Sequence, residues 1–382
     1  MSDNRSAKVV ICGGGILGLA LGYHLLKLGV KNVTILEKSY LNSGASGRCA
    51  GGIRQQWSTE DNIDLMKESV QQFLRFPKEI GFNNWFRQGG YLFLLYSKAQ
   101  LEQFENVVKS QNSCGVPTKI FSVQQIKKLV PNMNTDGVVA GTYHKGDGCF
   151  FPFAVIWGYA EAIKKLGGEI RTYTTVTGFE TEGDRIIDVQ TDNGKLECDI
   201  VVNACGADSP KIAEFLGEKL PNKPEKHEII VTQPLKPFLT PNIIPMDTSL
   251  FMAQMIRGEI VACVGSPEEQ KPTLKGSIKF LKSVSSIVCR LFPDLYNVSI
   301  LRHWAGFYDI TPDTNQILGP LVKWSNFYQL SGFMGHGFMM APAVGRRYAE
   351  WIVFGRHDDW VKRFSVDRFE KCELKAECMI IG

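Results

Sequence analysis

Three glycines near the N-terminus have the spacing of a turn that binds phosphate. Gly13, Gly15 and Gly18 form the pattern G-x-G-x-x-G directly after the apolar run 8–12. The first glycine permits a tight turn, the second lets a pyrophosphate approach the backbone, and the third lets a helix pack closely on the strand. The helix that we predict from position 16 to about 28 would direct its N-terminal amides at the phosphates.

An acidic residue follows at the distance that ribose recognition requires. Residues 33–36 are predicted as a second strand, and Glu37 stands at its end, 19 residues beyond Gly18. A carboxylate at this point accepts hydrogen bonds from ribose hydroxyls and disfavours a 2′-phosphate. The order strand, glycine turn, helix, strand and glutamate therefore predicts a Rossmann-type dinucleotide site. The alternative is a glycine-rich turn that arose by chance.

A loop of small residues then indicates which dinucleotide is bound. The segment 43–54, SGASGRCAGGIR, contains glycine, alanine and serine in most positions. Small side chains let a loop lie flat against a large planar ligand, which favours FAD. A flexible surface linker is the alternative, but two arginines and Ile53 favour an ordered loop.

The segments that must position these residues alternate between helical and extended patterns. Periodicity predicts helices at 61–81, 98–112, 152–166 and 275–291, and a helix after the Gly-His-Gly-Phe sequence that ends near position 354. Strands are predicted at 91–96, 185–191, 195–202, 227–233, 249–255 and 259–264, and the stretch 221–245, where prolines and lysines are frequent, is expected to be a crossover.

Composition excludes several classes of protein. The formal net charge is +4, which gives no case for nucleic-acid binding. The ten cysteines form no CxxC pair and no metal-binding cluster, so we expect free thiols in a reducing, cytoplasmic setting. The apolar stretch 9–28 is rich in glycine, and a transmembrane segment or signal peptide is not expected. No pattern for a metal centre or for a nucleophilic triad is present.

Five motifs together resemble the D-amino-acid oxidase/sarcosine oxidase family of FAD enzymes, over nearly the whole chain. Within that family the chain is similar to the β subunits of heterotetrameric sarcosine oxidases and of dye-linked L-proline dehydrogenases. The motifs are GGGILG at 13–18, the loop 43–54, DIVVNACGA at 199–207, WAGFY at 304–308 with Thr-Pro-Asp at 311–313, and GFMGHGF at 332–338.

The resemblance implies an α/β fold, α+β overall, with a Rossmann-type FAD-binding domain and an interleaved antiparallel-sheet substrate domain. We expect residues 1–60, 145–220 and 300–366 in the FAD-binding domain, 61–144 and 221–299 in the substrate or cap domain, and 367–382 in a C-terminal tail. The substrate would lie between the sheet and the flavin ring.

The residues expected to contact FAD come from the glycine turn, the small-residue loop and the later family motifs. They are Gly13, Gly14, Gly15, Ile16, Leu17, Gly18, Glu37, Lys38, Ser43, Ser46, Gly47, Arg48, Cys49, Ala50, Gly51, Val176, Ala204, Cys205, Gly206, Gly306, Gly335, His336, Gly337 and Phe338.

Three residues are predicted to act on the substrate. Arg54 is similar in position to the arginine that holds the substrate carboxylate in monomeric sarcosine oxidases, and a guanidinium matches a carboxylate with two hydrogen bonds. A structural salt bridge is the alternative for Arg54. His336 would orient substrate or only pack beside the flavin, and Tyr308, like Trp304, would line the pocket or belong to the core.

Departures from the family concern flavin attachment and the substrate site. The cysteine that binds FAD covalently in monomeric sarcosine oxidases aligns with Gly306, and their second carboxylate-binding cation aligns with Met339. The histidine that attaches FMN in heterotetrameric β subunits aligns with Pro152. We therefore expect non-covalent FAD, and a non-covalent FMN shared with a second subunit that docks near 152–157.

The predicted activity is FAD-dependent oxidation of a small secondary amino acid, with L-proline converted to a cyclic imine as the first choice. One alternative is a sarcosine- or glycine-type oxidase that uses O₂. Another is a non-catalytic FAD-binding subunit that relays electrons in a hetero-oligomer.

Overall fold

The computed structural model describes residues 4–265, 273–355, 359–372, 374, 376, 377 and 379 of the chain. The strands in these ranges are β1 Lys8–Cys12, β2 Asn32–Leu36, β3 Gly52–Ile53, β4 Tyr91–Leu95, β5 Lys119–Phe121, β6 Ala140–His144, β7 Gly148–Cys149, β8 Glu169–Arg171, β9 Val176–Glu182, β10 Arg185–Thr191, β11 Gly194–Glu197, β12 Ile200–Asn203, β13 Lys223–Thr232, β14 Asn242–Pro245, β15 Phe251–Gln254, β16 Ile260–Gly265, β17 Ile300–Ile310, β18 Ile317–Pro320 and β19 Phe327–Ser331.

The same ranges contain nine α-helices. They are α1 Ile16–Lys27, α2 Glu60–Ile80, α3 Lys98–Ser113, α4 Val123–Leu129, α5 Pro152–Lys165, α6 Ser209–Glu214, α7 Ile278–Leu291, α8 Gly337–Phe354 and α9 Asp359–Arg363. The six that were predicted begin and end within three residues of their predicted positions, and the short helices α4, α6 and α9 were not predicted. None of the nine is long and apolar enough to cross a membrane.

The first sheet carries the glycine turn. Its six strands have the order β18-β19-β12-β1-β2-β8, and all neighbours are parallel except β18 and β19. Four of the five β1 side chains are buried, as expected for a parallel strand covered on both faces. Helix α1 connects β1 to β2 in the Rossmann manner, which confirms the predicted α/β class.

Helix α8 covers α1 through a close approach of the two backbones. A side chain at Gly345 would lie 2.8 Å from the backbone of Ala20, so only glycine allows this packing. The contact joins the helix that follows the last family motif to the helix that follows the first. It therefore places the N-terminus of α8 beside the glycine turn.

The second large sheet has eight strands in the order β17-β13-β16-β15-β14-β4-β6-β5. The prediction of an antiparallel sheet is correct for every pair except β14 and β4, which are parallel. A parallel pair needs a long connection, and the many residues between β4 and β14 in sequence provide one. The sheet forms the roof of the site described below.

Two sequence predictions of extended structure need correction. Residues 195–202 do not form one strand, because the chain leaves the three-stranded sheet β11-β10-β9 after β11 and joins β1 as β12. Asp199 makes this turn, and its carboxylate accepts a hydrogen bond from the Lys8 amide at 2.8 Å. Within the expected crossover at 221–245, the predicted strand 227–233 begins earlier, at Lys223, and forms the ten-residue strand β13, which pairs along its length with β17.

Candidate functional site

The glycine turn has the geometry that dinucleotide binding requires. Gly13 has φ +113°, and a side chain there would overlap the carbonyl of Ala204. A side chain on Gly18 would overlap the Gly13 carbonyl, so this glycine lets α1 pack against the turn. Gly15 is the N-cap of α1. The backbone amide of Ile16, the next residue, donates a hydrogen bond to Ser46 Oγ at 3.0 Å. The turn and the small-residue loop are therefore joined directly.

Glu37 is held beside this turn by main-chain donors. Its carboxylate accepts hydrogen bonds from the Gly14 amide at 3.1 Å and from the Ser39 amide at 2.9 Å. The acidic side chain at the end of β2 thus lies where the sequence pattern placed it, next to the N-terminus of α1.

A long cavity of about 460 Å³ runs from the glycine turn to the start of α8. It is lined by most residues predicted to bind FAD, namely Gly13, Gly14, Gly15, Ile16, Leu17, Glu37, Lys38, Ser43, Ser46, Arg48, Cys49, Ala204, Cys205, Gly206, Gly335, Gly337 and Phe338. A volume of this size falls in the range of sites that enclose whole cofactors, roughly 300–1,000 Å³.

The other predicted cofactor residues lie in different places. Ala50, Gly51, Gly306 and His336 line a smaller cavity that adjoins the first, and Gly47 lines a third. Val176 is buried in a hydrophobic cluster with Val10 and Leu36, beneath the sheet, and is not among the residues that line the three cavities.

Arg48 fixes the small-residue loop. Its guanidinium donates to the carbonyls of Ser43 at 2.9 Å and Ala305 at 3.0 Å, so it ties residues 45–48, a 3₁₀ turn, to β17. These bonds give Arg48 a role in stabilising the loop. The loop is ordered and lines all three cavities, which excludes the flexible-linker alternative.

The residues present fit FAD. The long cavity has the glycine turn and α1 N-terminus for a pyrophosphate, a fixed carboxylate for a ribose, and shared walls with the smaller cavity for the ring system. Gly15 contributes no side chain to it. A dinucleotide with a large planar group at one end matches this arrangement.

The smaller cavity, of about 100 Å³, contains Arg54. It lies under the eight-stranded sheet, which contributes Tyr91, Ile229, Ile244 and Phe251. None of the described residues that line it is Asp or Glu. Arg54 is 1% exposed, and its guanidinium carbon lies 4.0 Å from the centre of the Trp57 ring.

Main-chain carbonyls accept hydrogen bonds from both terminal nitrogens of the Arg54 guanidinium. Nη1 donates to the carbonyl of Gln56, and Nη2 donates to the carbonyl of Met379 and lies 3.3 Å from His336 Nε2. Burial lowers the pKa of Arg54, but a guanidinium stays protonated in proteins. The cavity therefore holds a fixed positive charge in apolar surroundings.

A buried hydrogen-bond network behind Arg54 fixes the position of the backbone next to it. Asp147 accepts hydrogen bonds from the Gln55 amide at 2.8 Å and from the Gln56 side chain at 3.1 Å. The Gln56 side chain also donates to the carbonyl of Tyr91 and accepts from Thr142. Desolvation outweighs these bonds and raises the pKa of Asp147. None of these polar residues was predicted, since their partners are distant in sequence.

His336 is the N-cap of α8 and is buried. Burial, aided by the Arg54 charge, lowers its pKa well below the ordinary value, so the imidazole is neutral. Arg54 can only donate, so Nε2 accepts from Nη2 and the ring proton resides on Nδ1. The ring also meets Trp57 edge-on at 4.9 Å.

Tyr308 lies across the same cavity. Its ring stacks on His227 with centres 3.6 Å apart and lies so close to Gly335 that a side chain there would overlap it. Burial raises the pKa of Tyr308, so the phenol keeps its proton. His227, which the sequence did not single out, donates from Nε2 to the Glu225 carboxylate at 3.0 Å. Its position within a predicted strand gave no sign that it faces this cavity.

The predicted site residues therefore separate into two groups. Arg54, Tyr308 and His336 meet at the smaller cavity. Trp304 lines a third cavity of about 350 Å³ on the other side of Arg48, where its indole donates to the Arg48 carbonyl at 2.9 Å. Pro152 also lines this third cavity.

Comparisons with known proteins agree with this geometry. The family model described as FAD dependent oxidoreductase, DAO, matches residues 8–351. FAD-dependent oxidoreductase domain-containing protein 1 of Xenopus laevis is 31% identical over 98% of this chain and 85% of its own. Sarcosine oxidase subunit beta of Rhodobacter capsulatus is 27% identical over 98% of this chain and 91% of its own.

Among solved structures, L-proline dehydrogenase from P. horikoshii superposes with a TM-score of 0.93 at 37% identity, covering 97% of this chain and 99% of that one. The sequence, the cavity and these matches lead to one assignment: the chain belongs to the DAO family of FAD-dependent oxidoreductases.

Proposed function

We propose that this chain is the catalytic, β-type subunit of a dye-linked dehydrogenase that oxidises L-proline to the cyclic imine. The observation that carries the proposal is the buried guanidinium of Arg54 in a small, largely apolar cavity beside the FAD cavity. The relationship at 37% identity to an L-proline dehydrogenase supports the choice of substrate.

The cavity selects for a small amino acid with a free carboxylate. Its volume of about 100 Å³ excludes bulky side chains. A carboxylate pairs with Arg54 by charge-assisted hydrogen bonds, which are strongest where water is excluded. The sheet residues Ile229, Ile244 and Phe251 offer apolar contacts that suit a pyrrolidine ring.

The substrate amine must be neutral before it reacts, and the residues of the cavity favour that form. Bound FAD supplies the hydride acceptor. His336 is neutral and Tyr308 is protonated, so neither adds a charge near the amine. The fixed positive charge of Arg54 favours the neutral amine over the ammonium form. The apolar roof excludes water from the reacting carbon.

Turnover with alternative acceptors tests this proposal. The purified chain, alone and with co-purified partners, is supplied with L-proline, D-proline, sarcosine or glycine, and dye reduction and peroxide are both measured. L-Proline with dye reduction and little peroxide is expected. Preference for sarcosine or glycine with peroxide would favour the oxidase alternative. Absence of turnover with every amine would favour the electron-relay alternative.

We also infer that the third cavity receives a second flavin, FMN, shared with a partner subunit. Its volume is about 350 Å³, and its lining combines cations with aromatic rings, as a phosphate-bearing planar ligand requires. These residues are Arg87, Arg257, Arg302, Trp85, Phe151, Phe153 and Trp304. The histidine position that attaches FMN in the related β subunits falls on Pro152, at the edge of this cavity.

Exposed apolar side chains surround that cavity and support a partner surface. Trp85 is 39% exposed, Phe153 40%, Trp157 45% and Ile256 60%. Contiguous apolar surface of this kind marks protein interfaces. Co-purification from the native source followed by flavin analysis tests the inference: FAD and FMN with a second chain are expected, whereas a monomer with FAD alone would contradict it.

A further inference from the structure

The C-terminal segment reaches the amino-acid site, although the sequence suggested only a tail. Arg368 begins this segment with a buried, two-bond ion pair to Asp313, at 2.7 and 2.9 Å. Further along, Glu377 and Met379 are each 2% exposed. These two residues are therefore packed into the protein.

Glu377 attaches the segment to the start of α2. Its carboxylate accepts hydrogen bonds from both the amide and the hydroxyl of Ser58, from the amide and hydroxyl of Thr59, and from Asn62 at 3.0 Å. Thr59 is the N-cap of α2, so the carboxylate also faces the positive end of the helix dipole. Burial opposes ionisation, but these bonds outweigh it and lower the pKa of Glu377.

This attachment places the Met379 carbonyl in contact with the Arg54 guanidinium. The Met379 amide donates to the Glu377 carboxylate at 3.0 Å, and its carbonyl accepts from Arg54 Nη2. Its side chain packs in the same hydrophobic cluster as Tyr91, Ile244 and Phe251, which line the smaller cavity.

The Met379 carbonyl and a substrate carboxylate need the same donor. Nη1 already donates to Gln56, and Nη2 already faces His336 and Met379. A carboxylate that bonds to both terminal nitrogens must therefore replace one of the two acceptors of Nη2. The Met379 carbonyl is the more readily displaced of the two, because Met379 lies in the terminal segment, whereas His336 is the N-cap of α8. Since a carboxylate is the stronger acceptor for a guanidinium, the exchange is favourable once substrate is present.

We propose that Glu377 and Met379 form a strap across the amino-acid site, in which the Met379 carbonyl competes with the substrate carboxylate for Arg54. This proposal rests on the proposed function, because it takes Arg54 as the carboxylate ligand. Glu377 is a positioning residue in it: it acts through Met379 and does not touch substrate. The strap keeps the buried guanidinium bonded while the site is empty.

Calorimetric titration of the holoenzyme with pyrrole-2-carboxylate, a planar carboxylate that cannot undergo the proposed oxidation, measures the competition without turnover. Two variants release the strap: Glu377→Gln, and a chain that ends at Ala376. The matched control is Glu370→Gln, an exposed glutamate of the same terminal region. FAD content and melting temperature verify that each variant is folded.

Because the strap and the ligand compete for Arg54, release of the strap is expected to strengthen ligand binding. Apparent affinity is reduced by the fraction of molecules in which the site is blocked, so both strap variants are expected to bind the ligand about fivefold or more tightly than the unaltered protein. The control is expected to match the unaltered protein. The gain is expected to disappear when Arg54→Ala is added, since the competed donor is then absent.

Two other results would overturn the proposal in distinguishable ways. Unchanged or weaker binding in the strap variants, with binding retained in the unaltered protein, would show that the segment is only a wall of the site. Absence of binding in every protein, including the unaltered one, would remove the amino-acid site itself and the strap with it.

Discussion

Nη2 of Arg54 lies 3.3 Å from Nε2 of His336, although the two residues are 282 positions apart. The contact joins the small-residue loop of the first βαβ unit to the N-terminus of α8. Because the guanidinium only donates, the contact also fixes the imidazole tautomer. Two residues that the sequence proposed separately thus form one unit at the smaller cavity.

Removal of the Arg54 charge should weaken amino-acid binding. A charge-assisted hydrogen bond contributes about 1.5–3 kcal/mol, so Arg54→Ala should raise the dissociation constant for a carboxylate ligand by roughly tenfold or more. Arg54→Lys should recover only part of the loss, since it cannot form the paired bonds. Arg75→Ala, which removes an exposed arginine, is the control. Equal affinity in Arg54→Ala and the control would remove Arg54 from the site.

The pH dependence of ligand binding should show no histidine step. A histidine with an ordinary pKa near 6.5 would gain charge below that pH and strengthen binding of an anion. The lowered pKa of His336 predicts instead that affinity for pyrrole-2-carboxylate stays constant from about pH 8 to about pH 5.5. Affinity that rises below about pH 6.5 in the unaltered protein, but not in His336→Gln, would show that His336 is protonated there.

A branched side chain in place of Gly15, the second glycine of the turn, should eliminate FAD binding. A side chain at Gly15 would lie 3.3 Å from Ser46 Oγ and project where the pyrophosphate must approach. Gly15→Val should therefore yield colourless protein, measured as the ratio of flavin to protein absorbance. Thr177→Val, which introduces the same side chain at an exposed position of β9, should stay yellow. Full flavin content in Gly15→Val would contradict the assignment of the turn.

The sequence predicted those parts of the site that depend on the spacing of residues within one segment of the chain. Gly13, Gly15, Glu37 and the first residues of α8 depend on spacing within single segments, and all of them line the FAD cavity. Tyr91, His227 and Asp147 were missed, because the pairing of distant strands brings them together and no local pattern records it. The attachment of Glu377 to Thr59 is of the same kind, since it joins the two ends of the chain.

FAD should be released without breaking a covalent bond. Gly306 and Pro152 offer no attachment atom, and burial raises the pKa of both Cys49 and Cys263 to about 12. These thiols line the smaller cavity but stay protonated and are poor nucleophiles. Acid precipitation should give a colourless pellet and a yellow supernatant. A pellet that retains flavin fluorescence would show covalent attachment.

Anaerobic mixing with L-proline tests the central claim most directly, since it separates reduction of the flavin from the fate of the electrons. We expect L-proline to bleach the oxidised flavin band and to leave the cyclic imine, and D-proline, sarcosine and glycine to react more slowly. Bleaching is expected to accelerate as pH rises, because the amine loses its proton. If none of these amines bleaches the flavin, even with the partner subunit present, the chain is not the catalytic subunit that we propose.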